Sequence, residues 1–285
     1  MDGLTVQQQG VASAGPADHD QRAHIPIGLQ SIRLLEVDPD LFGSLTPEQK
    51  RVAARLALPV ETVTAHAVDI VARLKDANAF GALVLDGMLA DRVRIGDRPA
   101  LRVLGPTDVL WLGDGSSPIV VADASCSALM RTSLALLDSN FLVAARHFPQ
   151  LVRGLARRAA QQSERDGAHL AASQLPRVDQ RLLAIMWLLA EKWGYVSAAG
   201  TVLPLVLTHE TLGSLIGARR PTVSLALRQL SERGQLIKRD HGWLLVAQPA
   251  SSETSKTAER SIGQRSLAAL YAQQPDRWLS RRSRS

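Results

Sequence analysis

The chain has 285 residues, 46% of them hydrophobic and 21% charged, an ordinary globular balance with enough length for two separate cores. No apolar run approaches the roughly 20 residues of a membrane span, and no basic stretch followed by an apolar core opens the chain, so the expectation is a cytoplasmic protein without a membrane partner. A lone cysteine, Cys126, excludes an intramolecular disulfide and a cysteine-ligated iron–sulfur cluster within one chain.

Cys126 reads as a small core residue rather than a redox switch. The seven histidines form no His-x-His or His-x-x-x-His pair, so no metal is expected. Neither a Gly-x-Ser-x-Gly motif nor a phosphate-cradling glycine loop occurs, so neither catalysis nor a cofactor is expected. The formal net charge of +6 is unevenly spread. Residues 204 to 249 hold six Lys or Arg against three Asp or Glu, residues 250 to 285 seven against three, and the first 203 residues 20 against 21. An excess of cations confined to one end points to a polyanionic partner there.

In chain order, residues 1–24 are rich in Gln, Gly, Ala and Asp without hydrophobic periodicity and are expected to be disordered. Order is expected from Ile25, and Thr46-Pro47-Glu48 predicts a helix start before Val52, Leu56 and Leu58. From about residue 60 to 137 the sequence breaks into short β-branched or alternating runs: Phe80 to Leu85, Leu89 to Ile95, Ala100 to Leu104, Val109 to Leu112 and Ile119 to Ala122. Gly87, Gly96-Asp97, Gly105-Pro106 and Gly113-Asp114-Gly115 separate them. Many short strands at this spacing predict a double-sheet jelly roll over residues 25–145. Arg131 reads as a solvated strand-end residue, and Asp114 and Asp123 as turn and surface residues. His147 and His209 read as helix-start residues.

Residues 146–173 predict a long helix in which Phe148, Val152, Leu155 and Ala159 recur at four- and three-residue steps, with Gln162 and Asp166 continuing the same line as polar positions. Such a line fits either a helix–helix seam or a helix docked on its own domain. After Pro176, a helix carrying Leu182, Leu183, Ile185, Met186, Trp187, Leu188 and Leu189 predicts the core of a second domain, residues 174–249.

Within that domain, Thr208 can cap a helix bearing Leu212, Leu215 and Ile216, with Glu210 near its positive end. Gly217 supplies a turn, and Pro221 fits the first turn of a second helix. There Val223, Ala226, Leu227 and Leu230 share the inner face, which turns Arg220, Thr222, Ser224, Leu225 and Arg228 outward. Leu236 to Arg239, the turn Asp240-His241-Gly242 and Trp243 to Val246 predict a basic hairpin. A basic, hydroxyl-bearing helix face beside such a hairpin suits the DNA major groove.

The order of helix, glycine turn, Arg-Arg-Pro-Thr-Val-Ser helix and basic hairpin resembles the C-terminal winged helix of the Crp/Fnr family of bacterial transcription regulators. The resemblance is close from Leu175 to Val246 and architectural elsewhere, where Val84-Leu85-Asp86-Gly87 and Gly105 to Leu110 resemble that family's strand-and-turn rhythm. It implies an α+β chain: an N-terminal β jelly roll of cyclic-nucleotide-binding-like type acting as sensor, a long dimerisation helix with its seam at Phe148, Val152, Leu155 and Ala159, a winged helix-turn-helix, and a basic, flexible tail over 250–285. The implied partners are double-stranded DNA on an inverted repeat, a second copy of the chain, RNA polymerase and, unless the regulator is effector-independent, an unassigned small-molecule effector. Arg220 falls at the family's base-reading arginine, Thr222 at a phosphate-gripping hydroxyl and Arg228 at a further basic position. Thr208, Arg219, Ser224, Lys238 and Arg239 complete the expected DNA-binding set.

Two positions depart from the pattern: Pro221 stands where some members have a base-contacting glutamate, and Leu225 where many have a second arginine. Leu225 either meets a thymine methyl or turns aside onto the protein, the latter being the favoured expectation. An exposed leucine also suits the alternative that the winged helix meets a ligand or another protein instead of DNA. In the sensor, Trp111 to Asp123 lacks both the Gly-Glu pair and the arginine with which family members hold a cyclic nucleotide's phosphate. Cyclic AMP and cyclic GMP are therefore not expected ligands.

Overall fold

A computed structural model describes residues 30–67, 69–96, 98–113 and 123–246. The expected disordered start, the start of order near Ile25, the strand Ile119 to Ala122, Asp114 and the basic tail lie outside the described residues. The chain runs through β1 (Gln30–Arg33), α1 (Leu34–Val37), a 3-10 turn (Pro39–Leu41), α2 (Pro47–Ala53), β2 (Ala57–Val63), α3 (Ile70–Asp76), β3 (Gly81–Asp86), β4 (Leu89–Ile95), β5 (Arg98–Leu104), β6 (Val109–Trp111), β7 (Asp123–Ala128) and β8 (Thr132–Leu137). It continues through α4 (Ser139–His147), α5 (Pro149–Ser173), α6 (Val178–Trp193), β9 (Tyr195–Ser197), β10 (Gly200–Leu203), α7 (His209–Ile216), α8 (Arg220–Glu232), β11 (Leu236–Arg239) and β12 (Gly242–Leu245).

Two antiparallel sheets make the N-terminal unit, one ordered β1-β2-β8-β3-β6 and the other β5-β4-β7. Between them Val84, Leu89, Leu104, Leu110, Cys126 and Leu134 form one core, closed at the side by Ile70 and Leu74 of α3. The far face of the larger sheet, with Leu83, Ala135 and Leu137, is covered by Leu34, Phe42, Phe141, Phe148, Leu151 and Leu155. Burial on both faces explains why Ala82, Leu83 and Val84 form an unbroken apolar run instead of alternating.

The helix start at Thr46 is present as a full capping box, with Gln49 N donating to the Thr46 hydroxyl and the Gln49 side chain accepting from Thr46 N. The helix ends at Ala53, however, and Leu58 lies on β2. The stretch from 60 to 137 is also not strands alone. Ile70–Asp76 is helical because Ile70 and Leu74, one turn apart, both reach the inter-sheet core. His147 ends α4 rather than opening a helix.

The C-terminal domain packs α6, α7 and α8 with a four-stranded sheet ordered β11-β12-β10-β9. Its core is continuous with the outer face of β4 and β5. Met88, Ala90, Leu101 and Val103 share one cluster with Ile185, Leu212, Leu215, Val223, Leu230 and Trp243. Along β4 the sides therefore alternate, Leu89 entering the inter-sheet core and Ala90 the inter-domain one.

Candidate nucleic-acid interface

Thr208 caps α7 by accepting a hydrogen bond from Thr211 N at 3.1 Å. The helix stops at Gly217, whose φ of 65° is the left-handed conformation glycine adopts without steric cost. Gly213 has a second requirement that periodicity does not reveal, because a Cβ there would stand 2.6 Å from the Ala218 carbonyl oxygen. The bare backbone lets the turn fold back against α7 and fixes where α8 begins. The last carbonyls of α7 are also tied down: His169 of α5 donates from Nε2 to Leu215 O at 2.6 Å, and Arg181 of α6 donates to Ile216 O at 3.2 Å.

On α8 the inner face is Val223, Ala226, Leu227 and Leu230, all buried. Arg219 is the N-cap residue, Pro221 sits in the first turn, and Arg220, Pro221, Thr222, Ser224, Leu225 and Arg228 are exposed. Leu225 is 55% exposed, so it does not turn aside onto the protein as expected. Arg228 Nε donates to Glu232 Oε1 at 2.8 Å. An exposed i,i+4 pair contributes only about 0.3–0.5 kcal/mol, so this contact is easily exchanged for a phosphate or a base.

Ser224 is more committed than the sequence indicates. Its hydroxyl donates to Arg220 O at 3.1 Å, and His209 Nδ1 lies 2.9 Å from the Ser224 hydroxyl oxygen. With the hydroxyl proton on the carbonyl, His209 Nδ1 is the donor in the second bond. His209 thus joins the group as the residue that links the start of α7 to the recognition face. The β11–β12 hairpin closes at the Arg239–Gly242 pair through Asp240-His241, with Lys238 and Arg239 exposed beside it.

Residues 180–251 match the model of the Crp-like helix-turn-helix domain. The C-terminal unit is a Crp-like helix-turn-helix domain. No curated protein matches the chain in sequence. Among solved structures, a cyclic nucleotide-binding domain containing protein from Listeria monocytogenes EGD-e is 19% identical, with 75% of this chain and 97% of that chain covered and a TM-score of 0.56. A CooA variant from Carboxydothermus hydrogenoformans is 18% identical over 72% of this chain and 88% of that one, TM-score 0.53. FixK2 from Bradyrhizobium japonicum is 19% identical over 67% and 94%, TM-score 0.53. These likenesses establish the shared fold, a double-sheet domain, a long helix and a C-terminal helix-turn-helix.

The expected seam is divided between two environments. Phe148 and Leu155 are buried in the N-terminal unit's own core, Phe148 against Phe42 with ring centroids 6.1 Å apart, and Ala159 is half-buried. Val152 alone of the four is exposed, at 55%. Gln162 is buried, its side-chain oxygen accepting from Val109 N at 3.4 Å, and Asp166 pairs with Arg102 of β5 at 2.9 Å. The line that looks like a seam is thus mostly the face by which α5 docks on its own sheets.

That docking face carries a charge cluster that sequence reasoning missed. Asp108, in the turn before β6, is 2% exposed and accepts from Gly105 N at 3.0 Å, from Arg165 of α5 and from Lys192 of α6. One carboxylate therefore binds the double-sheet unit, α5 and α6 of the C-terminal domain together. Burial draws the Lys192 ammonium down to about 8, with the Asp108 charge opposing. Cys126 is buried as expected, and burial followed by the Asp91 carboxylate pushes its thiol up to about 12. Arg131 is exposed, and Asp123 is a surface partner of Arg94 at 2.7 Å.

Proposed function

We propose that this chain is a DNA-binding transcription regulator of Crp/Fnr type that binds an inverted-repeat DNA site as a homodimer, with α8 in the major groove and the β11–β12 wing on the flanking backbone. The observation that carries the reading is the basic face of α8: Arg219, Arg220, Thr222 and Arg228 are exposed on a helix whose opposite face is wholly buried, Arg228 held only by its exposed pair with Glu232, beside Lys238 and Arg239. Arg220 and Arg228 read bases, while Thr208, Arg219, Thr222, Lys238 and Arg239 meet phosphates. Ser224 serves this face by orienting it through Arg220 O and His209.

For the dimer, we propose that the outward face of α5 replaces the expected seam. Val152, Ala156, Ala160, Ser163, Gly167 and Leu170 are exposed and recur at four- and three-residue steps. Pairing there leaves the docking face of α5 untouched and places two recognition helices about 34 Å apart, one turn of duplex.

The test is selection of bound fragments from random DNA, followed by an electrophoretic shift with the Arg220→Ala, Arg228→Ala double variant. Each lost base-reading arginine is expected to cost about 1–3 kcal/mol and to relax preference at its own position. Affinity should fall steeply with salt. Unchanged affinity in the double variant, or a flat salt response, would overturn the DNA reading in favour of a protein- or ligand-binding winged helix.

A further inference from the structure

Leu225 is the single large apolar side chain left in solvent on α8 among the described residues. Its neighbours along the exposed strip are Pro221 and Thr222 one turn earlier and Arg228 one turn later, so an apolar patch sits beside the Arg228 guanidinium on the exposed strip. Leu225 has no donor or acceptor for a base edge, and Ser224 beside it is already bonded to Arg220 O and His209. In the major groove the one apolar feature presented by the bases is the C5-methyl group of thymine. We propose that Leu225, backed by the Pro221 ring, is a specificity-determining residue that reads a thymine methyl group in each half-site.

The proposal rests on the DNA reading above, and its experiment separates the two. With the full chain and its selected site, each thymine is replaced in turn, first in one half-site and then in both, by deoxyuridine, which lacks only the methyl group. At one position per half-site the native protein should lose about four-fold in affinity, the effect of withdrawing one buried methyl group, and about 15-fold when both half-sites are changed. The Leu225→Ala variant should bind thymine and deoxyuridine sites equally, and Leu225→Met, which keeps an apolar tip, should retain part of the discrimination. Because Leu225 is exposed, both variants should keep the native circular dichroism spectrum and salt dependence. If every deoxyuridine substitution is neutral for the native protein, or Leu225→Ala shows the same loss, the assignment of Leu225 is wrong while DNA binding stands. If no sequence is enriched and no salt-dependent binding appears, the DNA reading itself fails, and this assignment with it.

Discussion

Replacing Asp108 by Asn keeps the size and the acceptor for Gly105 N but withdraws the charge shared by Arg165 and Lys192. Removing one partner of a fully buried ion pair costs about 3–5 kcal/mol. Here the side chains of Arg165 and Lys192 remain 31% and 15% exposed, which leaves them partly hydrated and lowers the expected cost to about 2–3 kcal/mol. For a chain of this size that is a fall of roughly 5–10 °C in the unfolding midpoint, read by circular dichroism. The loss also has a pH signature. In the native protein Lys192 titrates at about 8. Without Asp108 it gives up its proton at lower pH while the unfolded chain still holds one, so the variant's stability rises with pH through that window. The gap to the native protein is therefore widest near pH 6 and narrows towards pH 8. Lys192→Met leaves Asp108 matched by Arg165, costs less than about 1.5 kcal/mol, and abolishes the pH dependence. The double variant should be less destabilised than the two singles added, by about 1 kcal/mol or more. An Asp108→Asn protein within about 0.5 kcal/mol of native, or strict additivity with Lys192→Met, would refute the reasoning.

Asp179 joins the start of α6 to the end of α8 through Arg177 and Arg233, and hydrogen bonds from these two arginines hold its carboxyl down to about 2. Since a lowered folded value stabilises above the unfolded one, Asp179→Asn should lower the melting midpoint at pH 7, and the difference should shrink as pH falls below about 4 towards 2. An equal difference at pH 7 and pH 3 would show that the carboxylate charge contributes nothing. With its thiol pushed up to about 12 and buried, Cys126 should resist alkylation by iodoacetamide at pH 8 until the protein is unfolded. Labelling of the native protein at the rate of a free thiol would contradict this.

Local signals made the DNA-reading unit legible. The Thr208 cap, the Gly217 turn, Pro221 and the buried positions of α8 depend on neighbours within one or two turns, and the structure places each where the pattern does. The sensor was legible where strands alternate or meet glycines, as in Leu89–Ile95, and illegible where the core decides. Ile70-Val71-Ala72 is as apt for a strand as for a helix, and only burial of Ile70 with Leu74 selects the helix. Periodicity on α5 was visible, but its partner was not. A 3.6-residue repeat identifies an apolar face without saying whether the chain's own sheet or a second chain covers it, and Phe148 and Leu155 turn to the former. The Asp108 cluster joins residues 57 and 84 positions apart, a distance over which charge spacing carries no signal.

The same cluster explains how events in the sheets can reach α8. Asp108 lies in a turn whose Thr107 has a φ of 74°, unfavourable for a β-branched residue, yet held by Thr107 N donating to Val84 O and Asp108 N to Gly105 O, both at 2.9 Å. From this strained turn the carboxylate grips α5 and α6, and those two helices in turn supply His169 and Arg181 to the end of α7. The path is short and made of rigid elements: turn, two helices, and the helix whose terminus fixes the start of α8. A change that relaxed Thr107 would move Asp108, and Arg165 and Lys192 could not both follow without breaking a pair or shifting a helix. Transmission through such a joint requires two discrete arrangements of the ion pairs.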